Sequence, residues 1–420
     1  MKRYCGLDVH KDSVFVCIMD ENGIVFQEKF GVLTFELEKL RETLYNYATT
    51  DVCMESTGVY WIPIWRVLED YFNLKLVNPY FIKQLPGRKS DVKDAEWIAT
   101  CLMKDLVRGS YVPDSVIQRL RQYNRRIFEL NHNISYKLNK LDSCFQRCNI
   151  RISNYVSNIN GKAFIEIARL ISEGVVDADK LLKKVHGRTV NKYGRETIIA
   201  ALTGVINDTD IDCIRQYLNE FEMLKQHRSE CQSKMDTLCN EYFPRQIKNI
   251  LTIPGISQRS ATAIIAEAGV DMSNFENSGK MVSWCGLSPR NDESAGRIKS
   301  RKITHGNKFL RQTLVECSWS ASKKQGCFFN RFSYHQTAIR KKSKIKVQVA
   351  IARKILVVVW NILVKDTQYI NFNDIDMLKQ AGMGVAMGNA DPEVQKHAKF
   401  VTKSIDEDGV EYALKHFGLI

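Results

Sequence analysis

Hydrophobic positions recur with two different periods along this chain, and the change of period divides it. Arg3–Val9 alternates, with Tyr4, Gly6 and Asp8 on one face and Cys5, Leu7 and Val9 on the other, the pattern of a half-buried strand. Ser13–Met19 is a second β-rich run, and Asp20-Glu21-Asn22-Gly23 supplies the turn chemistry for a hairpin into Ile24–Phe30. Phe35–Tyr47 has helical spacing, Asp51–Glu55 (DVCME) reads as a short strand, a helix runs through Trp61–Tyr71, and Lys75–Val77 reads as another strand. Ser90 can cap a helix that starts at Asp91 and continues through Ala95–Leu102. Strands interleaved with helices predict an α/β domain over residues 1–110.

From Val116 the period lengthens. Ile117, Leu120, Tyr123, Ile127, Leu130, Ile134, Leu138, Leu141, Phe145 and Cys148 recur every three or four positions, and so do Ile214, Leu218, Phe221, Leu224, Cys231, Met235, Leu238 and Tyr242. Two such stripes predict an antiparallel helical hairpin or an oligomerising coiled coil, with Ala163–Val205 mostly helical between them. This sets a helical domain at 111–245 and a second globular unit, mainly helical, at 246–365. Within the latter, Leu251–Gly269 (LTIPGISQRSATAIIAEAG) reads as helix, tight turn, helix. The fold class is therefore α/β plus α.

Charge narrows the partners. The chain has 420 residues and a formal net charge of +14, which favours a polyanion such as nucleic acid. The charge is uneven: Arg297–Lys346 holds fourteen Lys/Arg and one acid, Glu316, whereas Asp366–Ile420 holds five Lys/Arg against nine Asp/Glu. That reversal sets a boundary at 366. The twelve cysteines contain no C-x-x-C and the eight histidines are dispersed, which argues against a zinc site and for reduced, buried thiols. MKRYCGLDVH lacks an apolar signal region, and the longest apolar run, Ile355–Trp360, is too short to cross a bilayer. A cytoplasmic, nucleoid-associated protein is expected.

Candidate chemistry lies in two places. Asp8 ends the first strand on its polar face, Glu55 ends DVCME, and Asp91 and Asp94 project from one helical face. Clustered oxygens of this kind suit two Mg²⁺ ions flanking an in-line attack at phosphorus; the alternative is a first-turn acid favoured by the helix dipole beside a surface charge. Far along the chain, WCGLSPRNDESAGRIKSRKITHGNKFLR (Trp284–Arg311) holds a hydroxyl, Ser294, followed by Arg297, Lys299, Arg301, Lys302, Lys308 and Arg311. Lys341, Lys342 and Lys344 form a further basic cluster. These cations suit phosphates, though a solubilising face would look similar. In the turn at Leu251–Gly269, Gly255 permits the bend and N–H groups near Ser257 can meet a phosphate; an ordinary helix junction is the alternative.

GLDVHK (Gly6–Lys11), MESTGVYW (Met54–Trp61), SDVKDAEWIA (Ser90–Ala99), TIPGIS (Thr252–Ser257), WCGLSPRNDESAG (Trp284–Gly296) and GNKFLR (Gly306–Arg311) together resemble the motifs of the IS110-type transposases, the bridge-RNA-guided recombinases. The resemblance covers Arg3–Lys365 in order. It implies a RuvC-like (RNase H-fold) domain with a DEDD carboxylate set, a coiled coil, and a C-terminal domain with a helix-hairpin-helix and a catalytic serine. By motif, the DEDD set is Asp8, Glu55, Asp91 and Asp94, binding Mg²⁺, and the nucleophile is Ser294. Many relatives have Ser-Gly-Gly where this chain has Ser294-Ala295-Gly296, which leaves the hydroxyl in place; Ser288 is the rival and is read as structural. The resemblance further implies donor and target DNA as substrates, a structured guide RNA, and a dimer or tetramer whose active site is shared between subunits. A Holliday-junction-type nuclease and a catalytically inactive nucleic-acid-binding protein are the competing functions.

Asn371–Ile420 resembles something else, the C-terminal end of Cof-type haloacid-dehalogenase-like phosphatases. Their last acidic motif, G-D-x-x-N-D, falls on Tyr369, Ile370, Asn371, Phe372, Asn373 and Asp374, so Ile370 replaces the metal-binding acid. No D-x-D nucleophile strand precedes it; Asp210-x-Asp212 has the spacing but opens a helix. Residues 366–420 are expected to be a fused remnant without phosphatase activity.

Overall fold

The computed structural model describes residues 2–78, 91–107, 109–290, 292–294, 297–300, 302–369, 378, 381–390, 392–404 and 407–420, with 91–93, 292–294, 297–299 and 392–393 described through their backbone. They form two compact units, Met1–Pro113 and Asp114–Ile420.

The first unit is built on a five-stranded sheet: β1 (Tyr4–Val9), β2 (Val14–Asp20), β3 (Gly23–Phe30), β4 (Asp51–Glu55) and β5 (Asn73–Val77), in the order β3-β2-β1-β4-β5. The first three strands form an antiparallel meander, while β4 and β5 add parallel to β1. The predicted turn forms between β2 and β3: Asn22 N–H donates to Asp20 Oδ1 at 2.8 Å, and Gly23 has φ +128°. Val52, Cys53 and Met54 on β4 are all fully buried, as a parallel strand covered on both faces requires. Leu7, Val52 and Met54 pack on Leu40 and Leu44 of α1 (Thr34–Asn46) and on Ile64 and Leu68 of α2 (Trp61–Leu68). The opposite face is covered by α3 (Asp91–Met103), whose Ala95 and Ala99 pack beside Cys17 and Met19.

The second unit is helical, apart from short strand pairs. Its frame is two long helices, α4 (Ser115–Arg147) and α9 (Asp208–Tyr242), each about 50 Å long at 1.5 Å per residue. Arg147 pairs with Asp210, Lys137 with Glu220, and Arg228 with Asn131. Pairings that climb one helix while descending the other define an antiparallel hairpin within one chain. Asp114 caps α4 by accepting from Ile117 N–H at 2.9 Å. Asn207 and Asp210 form the reciprocal capping box of α9, and Asp212 pairs with Arg215 on the same helix.

The hairpin serves two separate cores. At its far end, Ile134, Leu141, Phe145, Ile214 and Phe221 bury against α5 (Lys162–Ser172), α6 (Ala178–Leu182), α7 (Gly187–Tyr193) and α8 (Arg195–Leu202). At its near end, Ile117, Leu120, Ile127, Met235 and Leu238 join a core made with α10 (Pro244–Leu251), α11 (Gln258–Ala268), α12 (Ser278–Cys285), α13 (Lys308–Ala321), α14 (Phe328–Tyr334) and α15 (Lys344–Lys365). By length and composition α15 could cross a bilayer, but its Val347, Ile351, Ile355, Val359 and Ile362 line this core.

The connection to the acidic tail extends past the charge reversal. Asp366 accepts from Arg245 Nε at 2.9 Å and Asn249 Nδ2 at 3.1 Å, and Tyr369 N–H donates to Thr252 Oγ1 at 2.8 Å. Beyond it, β8 (Val385–Ala386) and β9 (Phe400–Val401) pair in parallel, and Leu378, Ala386 and Val394 make a small core.

Candidate active site

Register brings two of the acids together. β1 and β4 run parallel with Tyr4 opposite Asp51 and Leu7 opposite Met54; the same offset sets Asp8 beside Glu55. In-register neighbours on adjacent strands project to one face about 4.8 Å apart. Both residues stand at the C-terminal ends of their strands, on the face that α3 covers. Asp8 is 7% exposed and takes a 3.0 Å contact from His10 Nε2.

The third element is directed by a missing side chain. A Cβ on Gly6 would lie 2.2 Å from the Ala95 carbonyl oxygen and 2.5 Å from the Ala99 nitrogen, so only glycine lets α3 lie so close to β1. Thr100 Oγ1 reaches Sδ of Met19, the partner of Tyr4, whereas Ala95 lies over Gly6, further along β1. The helix thus runs against the strand, and its first turn, with Asp91 and Asp94, is directed toward the end where Asp8 and Glu55 stand. Asp94 is half-buried; the side chain of Asp91 and the capping position Ser90 lie outside the described residues. Among the described residues no three His, Cys, Asp or Glu side chains gather closely enough to hold a metal ion. Oxygen-only donors of the kind Asp8 and Glu55 offer suit a hard divalent cation.

Ser294 lies on a hairpin that the periodicity did not predict. β6 (Asp292–Ser294) pairs antiparallel with β7 (Arg297–Ser300), with Ser294 opposite Arg297. The side chains of Ser294, Arg297 and Lys299 lie outside the described residues, as do Ala295, Gly296 and Arg301. Arg290 N–H donates to the Lys302 carbonyl at 3.0 Å and Thr304 N–H to the Ser288 carbonyl at 2.9 Å, with Pro289 bridged to Ile303. Ser288 is thus a rung at the base. Below it, Gly286 and Gly306 meet so closely that a Cβ on Gly306 would lie 2.3 Å from Gly286 N. Arg311 donates to the Thr304 carbonyl at 3.5 Å, bracing the same base, while Lys302 and Lys308 are exposed.

The hairpin base is tied to the long helices through a carboxylate that the sequence pattern did not single out. Glu267, on α11, is fully buried. It accepts from Asn307 Nδ2 at 2.8 Å, Asn124 Nδ2 at 2.9 Å and Arg125 at 3.4 Å, with Arg121 Nε at 3.7 Å. Asn307 also caps α13 by accepting from the N–H groups of Phe309 and Leu310 at 3.1 Å. One asparagine therefore joins the helix that follows the hairpin to a buried charge held by α4. The only sequence cue was Asn307 itself, inside GNKFLR; Glu267 and Asn124 are 143 positions apart.

The turn between α10 and α11 has the predicted glycine. Gly255 has φ +87°, and a Cβ there would lie 2.5 Å from Ala321 N, so the left-handed backbone and the approach of α13 both require it. Ser257 caps α11, exchanging a 2.9 Å contact with Ser260 Oγ. A polar cleft of about 280 Å³ opens beside this cap and includes Arg259. Burial first, and then the charge of Arg259, hold the Arg228 guanidinium below its usual pKa, and neither arginine has a carboxylate partner among the described residues. Arg228 donates to Asn131 Oδ1 at 3.2 Å, and Glu316 lines the cleft together with Arg259. Lys341, Lys342 and Lys344 are exposed.

Three family models match parts of the chain. Residues 5–150 match the DEDD model of the IS110 group, described as a transposase, and residues 247–333 match the transposase IS116/IS110/IS902 family. Residues 364–414 match the haloacid dehalogenase-like hydrolases. The chain is also similar, over short stretches, to three Bacillus subtilis (strain 168) proteins. YkrA is 56% identical over 48 residues, the stress response protein YhaX 50% over 46, and the 5-amino-6-(5-phospho-D-ribitylamino)uracil phosphatase YcsE 49% over 49. These matches cover 11–12% of this chain and only 16–20% of each relative.

Proposed function

The chain belongs to the IS110 transposases, with a haloacid dehalogenase-like segment joined to its end, and on that premise we propose that it cuts and rejoins DNA strands through a covalent serine–DNA ester. The observation that carries this reading is the parallel register of β1 and β4, which runs to Leu7 opposite Met54 and, continued by one residue, sets Asp8 beside Glu55. The sheet order, with an antiparallel meander followed by two parallel strands, supports a RuvC-like fold for that unit.

In the proposed reaction the oxygen of Ser294 attacks a backbone phosphorus. An ester forms to the serine, the bond to one deoxyribose oxygen breaks, and the serine proton ends on that leaving oxygen. The ester preserves the phosphodiester bond energy, so a strand hydroxyl can reverse the attack without ATP. Asp8, Glu55, Asp91 and Asp94 would hold Mg²⁺, which supplies charge against the developing negative oxygens. Arg297, Lys299, Arg301, Lys302 and Lys308 would bind the flanking phosphates, Arg311 would brace the base, and Arg259 beside the turn at Gly255 and Ser257 would hold a more distant one. Acids and serine would meet between subunits of a dimer or tetramer, with donor and target DNA selected by a structured guide RNA, in the bacterial cytoplasm at the nucleoid.

The test is a denaturing gel of the full chain with Mg²⁺ and a DNA carrying its own element ends. Ser294→Ala should abolish the covalent protein–DNA adduct and leave DNA affinity within about twofold; adducts that persist refute the assignment. Mg²⁺-dependent nicking without any adduct would instead identify a junction nuclease, and neither product an inactive binding protein. We assign no phosphatase activity to residues 366–420, since Ile370 stands where the phosphatases carry a metal-binding acid; hydrolysis of a phosphomonoester, lost in Asp374→Asn, would overturn that.

A further inference from the structure

The connection between α14 and α15 lies past residue 333, where the transposase match ends. Three large apolar side chains there face solvent: Tyr334 is 66% exposed, Ile339 61% and Ile345 71%. Arg340, Lys341, Lys342, Lys344 and Lys346 surround them, all exposed and none with a carboxylate partner among the described residues. Exposed apolar residues scattered singly need no explanation, but here they are gathered inside a run of unneutralised cations.

The backbone of this tip is equally particular. α14 runs on into a π-turn, His335–Ile339, a rare form that is frequent at functional sites. Its i→i+5 closure sets Ile339 one turn beyond Tyr334. Arg340 N–H donates to the His335 carbonyl at 3.0 Å and Lys342 N–H to the Gln336 carbonyl at 3.0 Å, with Lys341 held at φ +52°. Below, Lys354 of α15 lies over Phe328 at 5.0 Å and Phe332 at 5.1 Å, and Phe329 is fully buried. The tip is therefore a shaped projection on a packed base.

We propose that Tyr334–Lys346 binds an unpaired DNA strand, with Tyr334 stacked on a base, Ile339 and Ile345 packed on its neighbours, and the five cations along the phosphates. Base faces are hidden in a duplex, so an aromatic ring can use them only where the strands have opened. Aliphatic side chains favour the thymine methyl, and neither isoleucine offers a partner to a ribose 2′-hydroxyl. Those two features select DNA over RNA. The proposal does not depend on Ser294.

The test measures affinity of the full chain for oligo(dT), oligo(U) and a duplex of the same length. A photocrosslink from a 5-iodouracil-substituted single strand, mapped by peptide mass, locates the contact. Tyr334→Ala should weaken oligo(dT) about tenfold, within the range for one base–aromatic stack, with duplex affinity unchanged and Tyr334→Phe like wild type. Lys341→Gln should lower the salt slope on single strands by roughly 0.7, and the crosslink should map within residues 331–346. Unchanged oligo(dT) affinity in Tyr334→Ala, an equal loss on duplex, or a crosslink elsewhere would overturn the proposal, and oligo(U) bound as tightly as oligo(dT) would overturn the choice of DNA.

Discussion

Replacing Glu267 by Ala removes one carboxylate and strands the groups that converge on it. Asn307 and Asn124 each lose a charged acceptor at 2.8–2.9 Å in a fully buried site. A hydrogen bond to a charged group contributes about 1.5–3 kcal/mol. Arg125 is 47% exposed in its side chain, so water replaces most of what it gives up, and its share is discounted. Arg121 keeps its 2.7 Å bond to the Glu267 backbone carbonyl, which any residue at 267 supplies. The loss is therefore about 3–5 kcal/mol, the range found when one partner of a buried pair is removed. Glu267→Gln keeps the shape and one acceptor oxygen but presents an NH₂ to other donors, so its cost should fall between wild type and Ala. Urea denaturation of the second unit's helices measures both. The serine–DNA adduct should also form more slowly in Glu267→Gln under conditions where the protein stays folded, because Asn307 loses half of its anchor. A denaturation midpoint for Glu267→Ala equal to wild type, or a Gln variant worse than Ala, would refute this account of the site.

Gly6→Ala should cost about 1–3 kcal/mol by overpacking, since its methyl would meet backbone at Ala95 and Ala99; adduct formation should fall with it as α3 is pushed from β1. Asp51 offers a pH test. Burial acts to raise its pKa, but hydrogen bonds from Thr50, Lys2 and Asn73 outweigh it and hold the group below its ordinary 3.8. A carboxylate lowered by folding stabilises above the unfolded pKa and loses that contribution as pH falls through the folded one. Asp51→Asn should thus be less stable than wild type by about 1–2 kcal/mol near pH 7, with the gap closing below pH 3.8 in a thermal-melt series. Burial pushes the thiols of Cys53, Cys239 and Cys285 up to about 12, so at pH 8 native protein should take up iodoacetamide at the half-buried Cys213 and Cys231 and leave those three for the unfolded chain.

Local chemistry made much of this molecule legible. The alternation of Arg3–Val9, the Asp20–Gly23 turn and the three-to-four spacing after Val116 each specify an element from neighbouring residues, and each element forms. The positions of Asp8 and Glu55 near strand ends could be read locally, Asp8 from the alternation of Arg3–Val9 and Glu55 as the last residue of the short run DVCME. Their adjacency could not be, because it depends on a parallel register between strands 47 positions apart. Gly6 looked like one more member of a polar face; its role appears only once α3 is laid across it. The hairpin bearing Ser294 is too short and too polar to show a period, and its pairing rests on backbone groups alone. Glu267 lies in an apolar helix, where its partners come from two distant segments.

The hairpin of α4 and α9 is a rod with a separate hydrophobic bearing at either end. Everything between Arg147 and Asp208 is a fitting on the outer bearing, and none of it lines the inner one. Exchange or loss of that fitting should leave the seat of the serine loop in place, so heating should melt this unit in two steps, the outer part free to go first.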